Sequence, residues 1–459
     1  MTLSATAARS KSPSQQRGMS VRQIQFLAIG GSIGAGLFVA SGDGVHAGGP
    51  SLIFAYLVTG AIVFIIARCL AEMALVEPQR TFIGFVGQHL GHHAGFACGW
   101  SYFLLSILIA MAEMTAVGAM IHGWLPAIPQ WLPVAIVTAF LFGINHLRAR
   151  AFGEIEFWIA LLKVTAIVGF VGLGLVAVLA PSLFPDSGVS VTNLWRHGGI
   201  FPNGVGGFVE TLPIALFSFG GVELVGLVSA ETHDPRIAIP KAVNGLIIRM
   251  LVFYVATMTI AMIVVPWDTI GAGSSPFTLV LQHLKIPGIA IGLNVIVITA
   301  LISAINTVTF ATGRVVASLA VEGYAPTKLA FLDRNGVPRR AVTIAMALIS
   351  VSVVLNYLLA ASIFKLLLTG VAGIVLMNWI LFVTAHLRFR QTRRRAQLVS
   401  PLPVPLTPFS NIAVLVFLIS LLALLTTAAS LRSALLLDLG VVALLVTIAH
   451  LRMSRAAPA

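Results

Sequence analysis

Apolar segments long enough to cross a lipid bilayer recur along the whole 459-residue chain. A helix needs roughly 20 apolar residues to span the hydrocarbon core. Hydrophobic residues make up 58% of the chain and charged residues only 9%, whereas soluble globular proteins carry about 25% charged residues. So few charges cannot build a water-facing surface of normal polarity. The sequence therefore predicts an all-α integral membrane protein.

Twelve of these apolar segments are expected to be transmembrane helices. The predicted spans are 24–44, 51–76, 96–123, 131–146, 155–180, 208–231, 242–265, 288–320, 341–358, 362–387, 410–428 and 433–451. Proline- and glycine-rich loops divide them into five, five and two. The predicted division is a tail at 1–22, five helices in 23–181, an outer loop at 182–207, five helices in 208–387, a basic and proline-rich inner loop at 388–409, two helices in 410–452 and a tail at 453–459.

The net charge of +13 is spread over separate short loops. If the N-terminal tail is cytosolic, most Lys and Arg residues fall on the cytosolic side, as the positive-inside rule requires. Both termini are therefore expected in the cytosol, and the protein in the cell membrane. Scattered basic loops do not form one patch, so no nucleic-acid partner is expected. Cys69 and Cys98 lie in or beside apolar helices without metal-ligand spacing, and no metal or cofactor is predicted.

Glycine-rich segments interrupt the first and sixth spans, at corresponding positions of the two groups of five. They read Gly30-Gly-Ser-Ile-Gly-Ala-Gly-Leu-Phe38 and Phe217-Ser-Phe-Gly-Gly-Val-Glu-Leu-Val-Gly226. Paired interruptions of this kind point to a binding site at the membrane midplane. Unwound backbone leaves N–H and C=O groups that need other partners in lipid, and a zwitterion supplies both kinds. The alternative is that these glycines are contacts between closely packed helices.

Two charged side chains lie deep inside predicted spans. Lys163 is about nine residues into the fifth span. Burial of a charged amine in a membrane is costly, so it indicates a function. Lys163 either takes up and releases a coupled proton or is a fixed structural cation bound to carbonyls of the first and eighth spans. For Glu113, in the middle of the third span, three roles are open: it binds a proton, contacts the substrate, or is a packing residue. Glu72, one turn from Arg68, is expected to form a structural pair with it or an inner gate.

Other polar residues are expected to support the interrupted helices. Glu223 lies just past the break in the sixth span, and we expect it to stabilise the unwound segment rather than contact substrate. Ser303, Asn306 and Thr307 in the eighth span are expected to satisfy opened backbone of the first helix, although such residues also join helices in general.

At these residues the chain resembles the amino acid permeases of the amino acid–polyamine–organocation superfamily, in particular the bacterial amino acid transporter branch. The resemblance runs in unbroken order over about residues 20–400. The matching segments are Gly31-Ser-Ile-Gly-Ala-Gly-Leu-Phe38, Ala47-Gly-Gly-Pro50, Ala71-Glu-Met73, Phe152-Gly-Glu-Ile-Glu-Phe-Trp158 followed by Lys163, the segment 217–226 continuing to Asn244, Glu322-Gly-Tyr-Ala-Pro326 and Gly336-Val-Pro338.

The resemblance implies a five-plus-five inverted-repeat fold with discontinuous helices 1 and 6 and two additional C-terminal helices. It implies that the substrate carboxylate meets the N–H groups of Ala35 and Gly36. The substrate ammonium would meet carbonyls near Ser32, Phe217 and Gly220. Phe217 would cover the substrate, unless it is only a core- or lipid-facing residue. The expected substrate-binding set is Ser32, Gly34, Ala35, Gly36, Phe217, Ser218, Gly220 and Gly221.

The resemblance also implies alternating access and amino acid uptake, usually with a proton. The leading hypothesis is proton-coupled uptake of a neutral amino acid. The alternative is an exchanger, or a carrier of polyamines or cationic amino acids. A more remote alternative, from another functional class, is a membrane channel or receptor. A cationic substrate would favour several acidic pocket residues, and only Glu113 is a clear candidate. No phosphate-binding loop and no nucleophile–base set stands out, so a gradient-driven transporter and not an enzyme is predicted.

Overall fold

The protein is described by a computed structural model that covers residues 33–145, 149–185, 187–223, 227, 235–286, 289–333, 337–398, 400–427 and 429–456. The regular structure of these residues is helical throughout, and they contain no β-strand. An all-α protein is what the apolar composition predicts, because a membrane-spanning helix satisfies its backbone hydrogen bonds within itself.

The α-helices are numbered here in chain order. They are α1 (Ala35–Phe38), α2 (Ala40–Gly48), α3 (Ser51–Val76), α4 (Phe82–Leu90), α5 (His92–Trp124), α6 (Trp131–Ile144), α7 (Ala149–Leu179), α8 (Asn193–Arg196), α9 (Gly204–Ser218), α10 (Pro235–Met250), α11 (Thr257–Val264), α12 (Pro276–His283), α13 (Ile289–Val321), α14 (Arg339–Ile349), α15 (Val351–Leu358), α16 (Ile363–Arg395), α17 (Phe409–Thr427) and α18 (Ala429–Ala456). A π-helical segment, Leu251–Ala256, joins α10 to α11.

Eight helical segments of the described chain are long and apolar enough to cross a membrane. They are Ser51–Val76, His92–Trp124, Glu156–Leu179, Pro235–Val264, Ile291–Val321, Arg339–Leu358, Ile363–Arg395 and Phe409–Thr427. Shorter apolar helices are Trp131–Ile144, Gly204–Ser218 and Leu435–Leu451. These segments overlap the predicted second to twelfth spans, although the predicted sixth span, 208–231, is helical only to Ser218 and continues as turns through residue 223. The predicted span 24–44 is described only from residue 33. The total of twelve crossings stays a prediction.

The basic run after the tenth predicted span differs from the prediction. It was expected to belong to a loop that begins at residue 388, but α16 continues as a helix to Arg395. Arginine is a good helix former, and cations stabilise the negative end of the helix dipole. The loop therefore begins about two turns later than the change in hydropathy.

Helix α5 lies at the centre of the fold. It contacts α4, α13, α16 and α18, and it also contacts α1 at the start of the described chain. Helix α9 contacts α1, α2, α3 and α16. The two glycine-rich segments are therefore brought together beside α5.

A buried polar network joins α3 to α16 at the end of the bundle that is predicted to be cytosolic. Glu72 is fully buried, and its carboxylate accepts hydrogen bonds from His386 Nε2 at 3.0 Å, from Arg390 Nη1 at 2.9 Å and from the Val404 N–H at 3.2 Å. Asn411 of α17 contacts the other ring nitrogen of His386 at 3.0 Å. The network ties α17 and the loop before it to α3 and α16.

The expected local pair of Glu72 with Arg68 is replaced by these long-range partners. The guanidinium carbon of Arg68 lies 5.5 Å from the centroid of the Phe64 ring, one turn earlier on the same helix. A fully buried carboxylate requires several donors, and α16 and the following loop bring three of them to Glu72. Spacing along one helix could not reveal these partners.

Candidate substrate-binding site

The described part of the first span begins with the glycine-rich segment. Gly34 has extended backbone angles, with φ −145° and ψ −150°, and α1 begins at Ala35. Helix α9 ends at Ser218, and turns follow, with Gly221 at φ +93°. Both segments are therefore places where a helix begins or ends. Ser32 and the rest of 1–32, and most of 224–234, lie outside the described residues, so the discontinuity of the two spans stays a prediction.

A cavity lies between these two segments and helices α5 and α13. Its lining residues are Gly34, Gly36, Tyr102, Ser106, Ile109, Glu113, Phe217, Ser218, Gly220, Gly221, Val308 and Ala311. Six of the eight residues expected to bind substrate line this cavity. Ala35 lies between two of the lining residues, and Ser32 is not described.

The carboxylate of Glu113 occupies the start of α1. Both of its oxygens accept from the Ala35 N–H, at 3.0 and 2.9 Å, and the side chain is buried. A Cβ atom at Gly34 would collide with this carboxylate. Glycine at position 34 therefore leaves room for a carboxylate, and Glu113 fills the place where a substrate carboxylate is expected.

Gly36 has a packing role in addition to lining the cavity. A Cβ atom there would lie 2.6 Å from Cα of Ser218. No real Cβ contact is that short, so glycine permits the close approach of α1 and α9. This geometry supports the helix-packing interpretation for Gly36. A larger side chain at this position would disrupt the contact between α1 and α9.

Two tyrosines hold the end of α9. The Tyr254 hydroxyl donates to the Ser218 carbonyl at 2.6 Å, and the Tyr56 hydroxyl lies 3.4 Å from Ser218 Oγ. The Phe217 carbonyl accepts from the Gly220 N–H at 3.1 Å. Neither tyrosine was among the site residues predicted from the sequence, although a buried tyrosine hydroxyl usually needs a polar partner and so carries a signal.

The rest of the lining is mostly apolar. Phe217 is buried and makes an edge-to-face contact with Phe364, with ring centroids 6.5 Å apart. Other lining residues missed from the sequence are Tyr102, Ser106 and Ile109 on α5 and Val308 and Ala311 on α13. Those on α5 precede Glu113 at intervals of three and four residues, which places them on one helix face. Extending that spacing back from Glu113 would have found them.

Glu223 connects the turn after α9 to α16. One carboxylate oxygen accepts from the Gly221 N–H at 3.0 Å, and the other accepts from Trp379 Nε1 at 2.6 Å. The side chain is buried. Glu223 is thus placed to hold the turn in position, and it is not among the residues that line the cavity.

Lys163 reaches the described start of the first span. Its ammonium donates to the Ile33 carbonyl at 3.1 Å, and the side chain is buried. Lys163 also interacts electrostatically with Glu156 and with Glu113. Glu156, missed from the sequence, is buried seven residues before Lys163 on α7. Residues seven apart share a helix face, and this spacing was the available signal.

The polar residues of α13 surround Glu156. Ser303 Oγ donates to Glu156 Oε1 at 2.5 Å, and Asn306 Oδ1 accepts from Asn145 Nδ2 at 3.0 Å. Thr307 is buried one turn beyond Ser303. These contacts run to α7 and to Asn145 at the end of α6. The backbone of the first span before residue 33, the expected partner, lies outside the described residues. Among the described residues, no cluster of three or more His, Cys, Asp or Glu side chains is arranged to hold a metal ion.

Long apolar helices around a buried, partly polar cavity define a multi-pass α-helical membrane protein. Residues 23–452 match the family model described as amino acid permease. The chain is 41% identical to an uncharacterized transporter, YdgF, of Bacillus subtilis (strain 168), with 92% of each chain covered. It is 39% identical to the amino-acid permease AapA of the same organism, with 91% of each covered. It is 38% identical to the aromatic amino acid transport protein AroP of Escherichia coli (strain K12), with 89% of each covered.

The chain belongs to the amino acid permease family, within the amino acid–polyamine–organocation superfamily. It is accordingly an amino acid transporter and a multi-pass protein of the cell membrane. The expected family and the expected all-α class are confirmed.

Proposed function

We propose that this protein takes up a neutral amino acid with a proton, by alternating access around the cavity between α1, α5, α9 and α13. The observation that carries the proposal is the binding of the Glu113 carboxylate to the Ala35 N–H inside that cavity. The position suits a carboxylate, and every amino acid substrate has one.

The substrate carboxylate would take the position that Glu113 occupies. Ala35 supplies the N–H donor, and Gly34 supplies room that any larger side chain would fill. The substrate ammonium would then lie toward the carbonyls at the end of α9, near Phe217 and Gly220. This orientation uses both kinds of backbone group that interrupted membrane helices offer.

Coupling to a proton follows from competition for this position. An ionised Glu113 and a substrate carboxylate cannot share the Ala35 N–H, because two carboxylates in contact strongly favour protonation of one of them. Substrate entry therefore requires Glu113 to take up a proton and leave Ala35. When substrate departs on the other side, Glu113 releases that proton and returns. One proton crosses with each zwitterion.

Lys163 is the second proton-coupling candidate. Its hydrogen bond to the Ile33 carbonyl lies one residue before Gly34. Loss of the ammonium proton would weaken this hydrogen bond, and movement of the amine would break it, so either change would loosen the segment that positions the Ala35 N–H. Lys163 thus connects the protonation state of its own amine, on α7, to the position of the Ala35 N–H that binds the carboxylate.

The side-chain part of the cavity favours an apolar substrate. Ile109, Val308, Ala311 and Phe217 contribute apolar surface. Burial of apolar surface yields about 25 cal/mol per Å². The name of the relative AroP refers to aromatic amino acids, and we extend that preference to this chain. A cationic substrate would find Glu113 as its only acidic partner among the lining residues, and Ala35 already holds that carboxylate.

The proposal keeps the predicted topology. Two five-helix units lie in 23–181 and 208–387, two helices follow within 410–452, and both termini face the cytosol. Support comes from the basic loops and from the junction of the first and sixth spans at one cavity.

Uptake into proteoliposomes tests the proposed function. The full-length chain is purified and reconstituted, and uptake of each of the twenty amino acids and of putrescine is measured with and without an inward proton gradient. We expect gradient-dependent accumulation of apolar amino acids, with phenylalanine, tyrosine and tryptophan foremost. Uptake confined to lysine, arginine or putrescine, or accumulation unaffected by the gradient, would contradict the proposal.

A further inference from the structure

A basic groove lies at the end of α16, where the arginine-rich turns leave the apolar part of the helix. Its polar lining residues are Arg390, Gln391, Arg393, Arg394, Gln397 and Thr407. Arg395 is exposed beside it. The segment 388–409 contains five arginines and no Asp or Glu, and Arg390 pairs with Glu72 of α3.

Apolar side chains flank the basic groove. Leu398 is 55% exposed, Leu406 is 81% exposed and Phe409 is 76% exposed. Leu406 and Phe409 adjoin Thr407 and Pro408, which line the groove. A surface that places guanidinium groups next to exposed apolar side chains suits the boundary between headgroups and acyl chains.

We infer that the basic groove binds an anionic phospholipid. The phosphodiester would lie among the guanidinium groups, because arginine forms charge-assisted and often bidentate hydrogen bonds with phosphate. The acyl chains would lie along Leu398 and Phe409. Basic clusters at the membrane end of a helix attract anionic lipids electrostatically. Charge complementarity selects an anionic headgroup over a zwitterionic one.

The basic groove is connected to the helix bundle through Arg390. This arginine lines the groove and also pairs with the buried Glu72 of α3. The same carboxylate accepts from the Val404 N–H of the loop that forms the far side of the groove. A lipid phosphate in the groove would hold α16 and this loop together, so its binding would stabilise the folded protein. The inference does not depend on which amino acid is transported.

Thermal unfolding in a neutral detergent tests the inference. The full-length protein is titrated with palmitoyl-oleoyl phosphatidylglycerol or with the phosphatidylcholine of the same acyl chains, at low and high salt. Ligand that binds only the folded state raises the unfolding temperature. We expect the phosphatidylglycerol lipid to give the larger rise, and high salt to reduce the difference. Glycerol 3-phosphate alone should give a much smaller rise, because it lacks the acyl chains.

The double variant Arg394→Gln/Arg395→Gln removes one exposed charge that lines the groove and one exposed charge beside it. Its matched control, Arg196→Gln/Arg432→Gln, removes two exposed charges elsewhere. We expect the double variant to lose at least half of the additional rise from phosphatidylglycerol, and the control to keep it. Equal unfolding temperatures in phosphatidylcholine show that both variants are folded. An unchanged rise in the double variant, or equal rises from both lipids in the parent, would overturn the inference.

Discussion

Both side-chain oxygens of Glu113 accept hydrogen bonds from the Ala35 N–H, at 3.0 and 2.9 Å, across 78 residues of sequence. The contact joins the middle of α5 to the start of α1. Because a carboxylate of the protein fills the position proposed for the substrate carboxylate, we propose that substrate binding requires a change in the charge of Glu113. Under this proposal, proton coupling arises from competition between the two carboxylates for the Ala35 N–H.

Replacement of Gly34 by alanine tests the shape of the carboxylate position. The added methyl group would collide with the Glu113 carboxylate. Overpacking of this kind costs about 1–3 kcal/mol, so the unfolding temperature in detergent should fall and transport should decrease. Gly172→Ala on α7 is the control, because no atom lies within 4 Å of its added Cβ. Equal stability and equal transport of the two variants would show that the contact is not tight.

Replacement of Lys163 by methionine tests its proposed role in coupling. The Ile33 carbonyl would lose its donor, and a buried polar group left without a partner costs about 1–3 kcal/mol. We expect lower stability and no gradient-driven accumulation in proteoliposomes. Lys365→Met, at an exposed lysine, should behave like the parent. A Lys163→Met protein that concentrates amino acid as well as the parent would exclude the proton role.

Replacement of Trp379 by phenylalanine tests the support of the turn after α9. The variant removes the 2.6 Å hydrogen bond from Nε1 to Glu223, and a buried acceptor left without its donor costs about 1–3 kcal/mol. We expect a lower unfolding temperature, with a smaller decrease when Glu223 is already glutamine. Trp158→Phe, at a residue that is 61% exposed, should change little. Equal effects in both Glu223 backgrounds would indicate that the pair is not coupled.

Hydropathy was sufficient to locate most of the described membrane-spanning helices, because a lipid-facing helix must be apolar over its whole length. The glycine-rich segments were sufficient to locate the cavity, since Gly34, Gly36, Gly220 and Gly221 all line it. Hydropathy could not predict the last residue of a helix whose final turns are polar, as the continuation of α16 to Arg395 illustrates.

Partners between distant helices could not be predicted from spacing. Glu72 was expected to pair with Arg68 on its own helix or to form an inner gate, and its partners come from α16 and the loop after it. Glu113 was recognised as important, but its contact with Ala35 depends on how α5 is rotated against α1. Such rotation is set by the packing of many side chains, and a single sequence does not display it.

Replacement of Glu113 by glutamine gives the most direct test of the account. A glutamine does not ionise, so it cannot carry the proton or compete as an anion for the Ala35 N–H. For the parent, the KM of the preferred amino acid should rise as external pH rises, since more Glu113 is then ionised. The variant should exchange amino acid at a KM that does not vary with pH, and it should fail to accumulate amino acid under a proton gradient. Accumulation equal to that of the parent, with the same dependence of KM on pH, would contradict the account.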